Sequence, residues 1–145
     1  ISKASGQPLD IAEHFVKQMA KAYPRVVEWR QDCADQGESG YIYNAWGRRM
    51  SVNVERSYTQ SSALMGQSGT REIMTDALIR MLNCDLRLIH WLRAQIHDEL
   101  IFSIPKTELE WAVPKIAELM STTWNGVEFT AAHGQPADDW EHASH

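Results

Sequence analysis

Cysteine is scarce in this chain, and the other absences are equally informative. The 145 residues hold two cysteines, Cys33 and Cys84, and no C-x-x-C pair. That argues against a disulfide framework or a cysteine metal site, and for buried free thiols in a reducing compartment. No apolar run approaches the roughly 18 residues that a membrane helix needs, so no membrane partner is expected. No secretory signal is expected either. A Gly-rich phosphate cradle is missing, because "GQSGT" at 66–70 lacks the lysine that such loops use. Ser61, Ser62, Ser68 and Cys84 have no His–Asp pattern beside them, which speaks against nucleophilic catalysis. His142 and His145 lie three apart in a polar tail and read as surface residues. No internal repeat, low-complexity block or linker interrupts the chain.

A basic surplus is also missing. The formal net charge is -5, whereas a free-standing nucleic-acid binder usually carries an excess of Lys and Arg. The balance is uneven along the chain. Residues 41–97 hold seven Arg against four acids, and residues 98–145 hold two Lys against nine acids. An Arg-bearing middle is thus followed by an acidic C-terminal part.

Hydrophobic residues make up 43% of the chain, enough to bury one domain's core. Ile11, Phe15, Met19 and Ala22 fall at helical spacing, and Pro8 suits a first turn. Pro24 ends that helix and opens a second over 25–36, with Val26, Val27, Trp29 and Cys33 expected mostly inward. "YIYNAWGRRMSV" alternates like a hairpin, with Asn44 to Gly47 near its turn. Residues 55–82 read as helix, with an interruption allowed near Gly66–Gly69 and Ile73, Ala77, Leu78 and Met81 on one face. "KTELEWAVPKIAELMSTTW" is a helix with a capping box from Thr107 to Glu110, which Pro114 should bend or shift. "GVEFTAAHG" supplies a short last strand.

Between those helices, residues 86–96 and 100–104 read as two strands, with the tip of their hairpin on His97–Glu99. In this reading His90 and His97 fall on opposite faces of a strand. The turn contains no Gly, Asn or Pro, so it breaks the local rule for tight hairpins. Broken local rules often mark functional sites. A carboxylate at a strand turn is rigidly held yet open to solvent, as a hard-metal ligand must be. Adjacent acids repel one another, and a divalent cation would relieve that repulsion. From spacing alone a solvated acidic turn is the reading favoured over a metal site.

Five stretches together resemble the family A DNA polymerases, the group of bacterial DNA polymerase I and many phage replicases. "QIHDELIFSIP" resembles that family's motif C, hydrophobic-His-Asp-Glu-Leu-hydrophobic-Phe. "GYIYNAWGRR" resembles its Gly-Tyr-x-x-Thr-x-x-Gly-Arg-Arg hairpin, with Asn44 where Thr is common. "YPRVVEW" resembles a Tyr-Pro-x-Val-x-x-Trp helix start, and "GQSGTREIMTDAL" a Gln-Gly-x-Ala-x-Asp helix. "DDWEHASH" is similar to an Asn-Trp-x-x-Ala-His ending, which implies a native C-terminus. The five occur in the family's order. The short link from Gly47 to Gln67 is more like phage members than bacterial ones.

The resemblance implies a helix-rich α+β fragment with a motif C hairpin packed on helices. Residues 1–40 would be the end of the fingers and 41–145 the second half of the palm. It implies template-directed nucleotidyl transfer from dNTPs to a primer 3′ end, using two Mg2+ ions. Asp98 matches a metal-holding catalytic carboxylate and Glu99 the acid that follows it. His97 matches a residue at the primer terminus, and Gln67 one that meets the duplex in the minor groove. Arg49 and Arg56 count as further DNA-binding candidates. Ala63 stands where Asn is common and Ser68 where Gly is, so one interaction with the nascent pair is missing or comes from Ser61 or Ser62. The family's motif A aspartate, nucleotide-binding helix and thumb are not among these residues. The isolated chain is therefore expected to be inactive, and to expose apolar surface where an N-terminal remainder would dock. A host bacterial cytoplasm is the implied location. The alternative is a non-catalytic DNA- or replisome-binding module with a polymerase-derived fold.

Overall fold

The computed structural model describes residue 6 and residues 8–143. The chain divides into two compact units, with the boundary between Ser68 and Gly69. In the first unit, α1 (Leu9–Ala22) and α2 (Pro24–Gly37) are separated by Tyr23 alone. Pro24 sits at the start of α2, where its missing N–H costs nothing, and its ring keeps Tyr23 out of helical geometry. The Tyr23 N–H still donates to the Met19 carbonyl at 2.9 Å and so closes α1.

The apolar spacing of α1 finds its helix but not its burial. Among the described residues of α1 only Ala12 is buried, while Ile11, Phe15 and Met19 are exposed. Val26, Val27 and Trp29 of α2 are exposed as well, against the expectation of an inward face, and Cys33 and Ala34 are the buried side chains. Periodicity reports an amphipathic face, and not whether a neighbour covers it. The expected exposure of apolar surface is therefore present.

Gly37 is buried at the end of α2, and a Cβ there would collide with Ser61 Oγ and crowd Ser57 and Val52. Strands β1 (Tyr41–Tyr43) and β2 (Arg49–Ser51) form an antiparallel hairpin in which Tyr43 faces Arg49. Buried Asn44 organises its turn. Its Oδ1 accepts from the Trp46 and Arg48 N–H groups at 3.0 and 2.9 Å. Asn53 then accepts from the Glu55 N–H and caps a 3-10 turn, Val54–Arg56.

A 28-residue helix, α3 (Ser57–Cys84), follows without interruption. Gly66 and Gly69 weaken it by about 1 kcal/mol each relative to Ala but do not break it, because neither removes a hydrogen bond. In the second unit, Met81 of α3 packs in a core with Leu88, Ala112 and Ile116. Leu86 to Trp91 form a short helix, α4, and not the start of a strand. Asp85 decides this, since its side chain accepts from the Arg87 N–H and starts the helix. His90 consequently lies on a helix, and the comparison of strand faces with His97 does not apply.

Strand β3 (Leu92–Ile96) pairs antiparallel with β4 (Glu99–Phe102), and a register shift between Leu92 and Ala94 leaves Arg93 as a bulge. Leu100 and Phe102 pack against the core. After a 3-10 turn, Lys106–Glu108, comes α5 (Leu109–Met120). The expected capping box is absent: the helix starts beyond Thr107, and its N-cap Glu108 makes no capping bond. Pro114 lies inside α5, which runs through it. Strands β5 (Thr122–Trp124) and β6 (Val127–Phe129) form a last hairpin, against the expectation of a single strand. The tail ends in α6 (Trp140–Ala143), and His145 lies outside the described residues. Both cysteines are free, but only Cys33 is buried; Cys84 is exposed. Burial, helped by the Asp32 charge, pushes the Cys33 thiol up.

Candidate active site

Ile96 pairs with Glu99, which leaves His97 and Asp98 as a two-residue turn. The tip is thus one residue tighter than the expected His97–Glu99, and Glu99 already belongs to β4. Two-residue hairpins require a positive φ in the loop, normally supplied by Gly or Asn. Here His97 takes it, at φ 52. A non-Gly residue in that region costs on the order of 1–3 kcal/mol. His97, Asp98 and Glu99 are all exposed, so no burial offsets that cost. What the turn achieves is presentation. Two carboxylates and an imidazole stand at the end of a strand pair whose other end is packed in a core.

No group of three or more His, Cys, Asp or Glu side chains forms a metal site by itself among the described residues. The tip offers two adjacent acids. Magnesium is commonly held by one or two protein carboxylates, with water and substrate oxygens completing the shell. Asp98 and Glu99 fit that part of a magnesium site.

The remaining candidates lie in the other unit. Gln67 is exposed on α3 and Arg56 is exposed at the end of the 3-10 turn. Arg49 lies over the Tyr41 ring at 5.4 Å, and Tyr41 meets Tyr43 edge-on at 5.7 Å. Ser61 is fully buried, so its hydroxyl cannot stand in for the asparagine side chain that Ala63 lacks. Ser62 is half-buried, with its hydroxyl donating to the Thr59 carbonyl at 3.5 Å.

One cluster escapes a reading of the sequence. Arg87 donates to both Asp85 oxygens, at 2.8 to 3.2 Å, and to Glu108 at 3.2 Å. Its guanidinium lies 4.9 Å from the Trp111 ring and 5.8 Å from the Trp91 ring. Trp111 also donates to Glu108. The hydrogen bonds from Arg87 hold the Asp85 carboxyl below its ordinary range, and the same bonds raise Arg87. Arg87 and Trp91, four apart beside a helix-starting Asp, are the available signal.

No helix among the described residues is long and apolar enough to cross a membrane. The family model for DNA polymerase family A matches residues 1–140. The DNA polymerase of Mycobacterium phage L5 is 33% identical over 121 residues, which cover 83% of this chain and 20% of that protein. The DNA polymerase of Mycobacterium phage D29 is 32% identical over 122 residues, with the same coverage of 83% and 20%. The thermostable DNA polymerase I of Thermus thermophilus is 26% identical over 127 residues, covering 81% of this chain and 15% of that protein. The chain spans about a fifth of the phage relatives it matches. With a family match over residues 1–140, the chain belongs to DNA polymerase family A.

Proposed function

We propose that this chain is part of a DNA-directed DNA polymerase, in which residues 1–40 belong to the fingers and 41–145 to the palm. The observation that carries the reading is the His97–Asp98 turn. It keeps a positive φ on a histidine and leaves two acids exposed at the end of a packed hairpin. Asp98 is the principal metal-holding carboxylate and Glu99 supports it. These two carboxylates would hold magnesium, which when bound would supply Lewis-acid stabilisation of the charge that develops in nucleotidyl transfer. His97 steadies the primer 3′ end. Gln67 donates one hydrogen bond in the minor groove, where the acceptors shared by all base pairs make shape the property tested. Arg49 and Arg56 meet backbone phosphates. The partners are primer-template DNA, dNTPs and the rest of the polymerase, which supplies the second metal carboxylate. The phage relatives favour a host bacterial cytoplasm as the site of action.

The test is single-turnover incorporation by the full-length polymerase. Asp98→Ala should slow synthesis by on the order of 1000-fold, as expected for losing a major electrostatic stabiliser. Primer-template affinity should stay near normal, because Asp98 serves charge that develops in the transition state. The 145-residue chain alone should not extend a primer. An Asp98→Ala rate within tenfold of wild type would remove the tip from the chemistry.

A further inference from the structure

The β3–β4 hairpin carries its acids at its tip, and on one face the core packing reaches as far as Leu100, two residues from Asp98. Five residues of β3 at about 3.4 Å each put the tip roughly 17 Å from the foot. A tilt of only about 3–4° at the foot therefore moves Asp98 by about 1 Å, a misplacement that can cost 100-fold in rate. Something at the foot has to hold the angle. Packing of Leu100 and Phe102 on the core constrains one face. The Ser103 N–H closes the foot on the Trp91 carbonyl at 2.8 Å, but that bond joins the strands only to each other.

Arg87 supplies the remaining constraint. Asp85, Arg87 and Trp91 lie on the segment that enters β3, and Glu108 and Trp111 on the segment that follows β4. The guanidinium fork joins the two through Asp85 and Glu108, while its plane lies near both indoles. The two indoles lie 5.9 Å apart, tilted at 56°. The fork fixes direction as well as distance, since five N–H donors in one plane accept few alternative arrangements. We propose that Arg87 is a positioning residue, which clamps the entry and exit of the β3–β4 hairpin and thereby holds the Asp98 carboxylate in register with the reacting phosphoryl group. This rests on the reading of the tip as the metal-holding end.

The clamp is tested in the full-length polymerase with Arg87→Ala, Arg87→Lys and Glu108→Gln. The readouts are single-turnover rate against Mg2+ concentration, the active fraction, primer-template affinity, and amide exchange at Ser103. Arg87→Ala should lower the rate 10- to 100-fold and raise the half-saturating Mg2+ at least threefold. Primer-template affinity should change less than twofold, and Ser103 exchange should quicken at least tenfold. Arg87→Lys keeps the charge but loses the fork, so it should restore the rate by less than threefold. Glu108→Gln cuts only the exit-side charge and should raise half-saturating Mg2+ about twofold.

A loss of active fraction with unchanged Mg2+ dependence would make Arg87 merely structural and overturn the proposal. If Arg87→Ala does not fold, Glu108→Gln decides, and an unshifted Mg2+ dependence there overturns it equally. Asp98→Ala run in parallel separates the two claims. An inactive Asp98→Ala beside a normal Arg87→Ala sinks the clamp alone, whereas an active Asp98→Ala sinks the reading of the tip.

Discussion

The second unit contains two hairpins with two-residue turns, and they are built on opposite chemistry. In β5–β6 the turn is Asn125–Gly126, with φ 50 and 78. Those two residue types tolerate positive φ better than any others, so the turn closes the hairpin at little cost. In β3–β4 the turn is His97–Asp98, and a histidine holds φ 52. Both turns are exposed and both close antiparallel pairs, the β3–β4 pair with its bulge at Arg93. The contrast isolates what the second turn retains despite its backbone cost: an imidazole and a carboxylate where Asn-Gly would provide neither charge nor ring.

The contrast breaks most sharply if the good turn is written into the functional hairpin. The double substitution His97→Asn with Asp98→Gly eases the φ of 52 at residue 97 but adds unfolded-chain freedom at residue 98, which has no positive φ, so stability should change by less than about 1 kcal/mol. In the full-length polymerase it should cost on the order of 1000-fold in incorporation, because Glu99 alone does not replace Asp98. A variant that still incorporates nucleotides near the wild-type rate would mean that the strain at His97 has no functional counterpart. The reverse exchange, Asn125→His with Gly126→Asp, should act only on the fold. Two ill-suited residues at positive φ should cost the hairpin about 2 kcal/mol in urea unfolding of the chain. Incorporation at a temperature where the protein stays folded should be unchanged.

Much of this contrast is legible in the sequence, but unevenly. The acids at 98 and 99 interrupt apolar strands without any turn residue, so the tip and its anomaly can be read directly. The β5–β6 hairpin carries an Asn-Gly signal of the standard kind, yet the sequence reading anticipates only its second strand. Three-residue strands are too short for alternation to register. The run Leu86–Trp91 misleads because short apolar segments suit helix and strand alike, and the deciding influence is one Asp85 side chain. The capping box fails on its position. Thr107 and Glu110 have the right spacing, but Thr107 lies in the 3-10 turn and the N-cap is Glu108, one residue later than the box requires. The role of Arg87 is beyond reach of sequence patterns, because its partner Glu108 lies 21 residues away. The exposed faces of α1 and α2 show the same limit, since amphipathic spacing does not name its partner.

The smallest expected effect separates the backbone of the turn from its side chain. His97→Gly and His97→Ala both remove the imidazole, so both should lose whatever His97 does at the primer end. They differ in the backbone alone. Alanine at φ 52 keeps the left-handed penalty, about 1–2 kcal/mol, whereas glycine has none. Glycine gives back about 0.5–1 kcal/mol through the greater freedom of its unfolded chain. The Gly variant should therefore be about 0.5–1 kcal/mol more stable than the Ala variant to urea. Extension from a primer end should fall to a similar degree in both, within about twofold of each other, an energy difference of only about 0.4 kcal/mol. Equal unfolding midpoints would show that the turn is not strained at His97. A Gly variant that extends primers at the wild-type rate would move the role of His97 from its ring to its backbone, and leave the two acids, Asp98 and Glu99, as the tip's functional side chains.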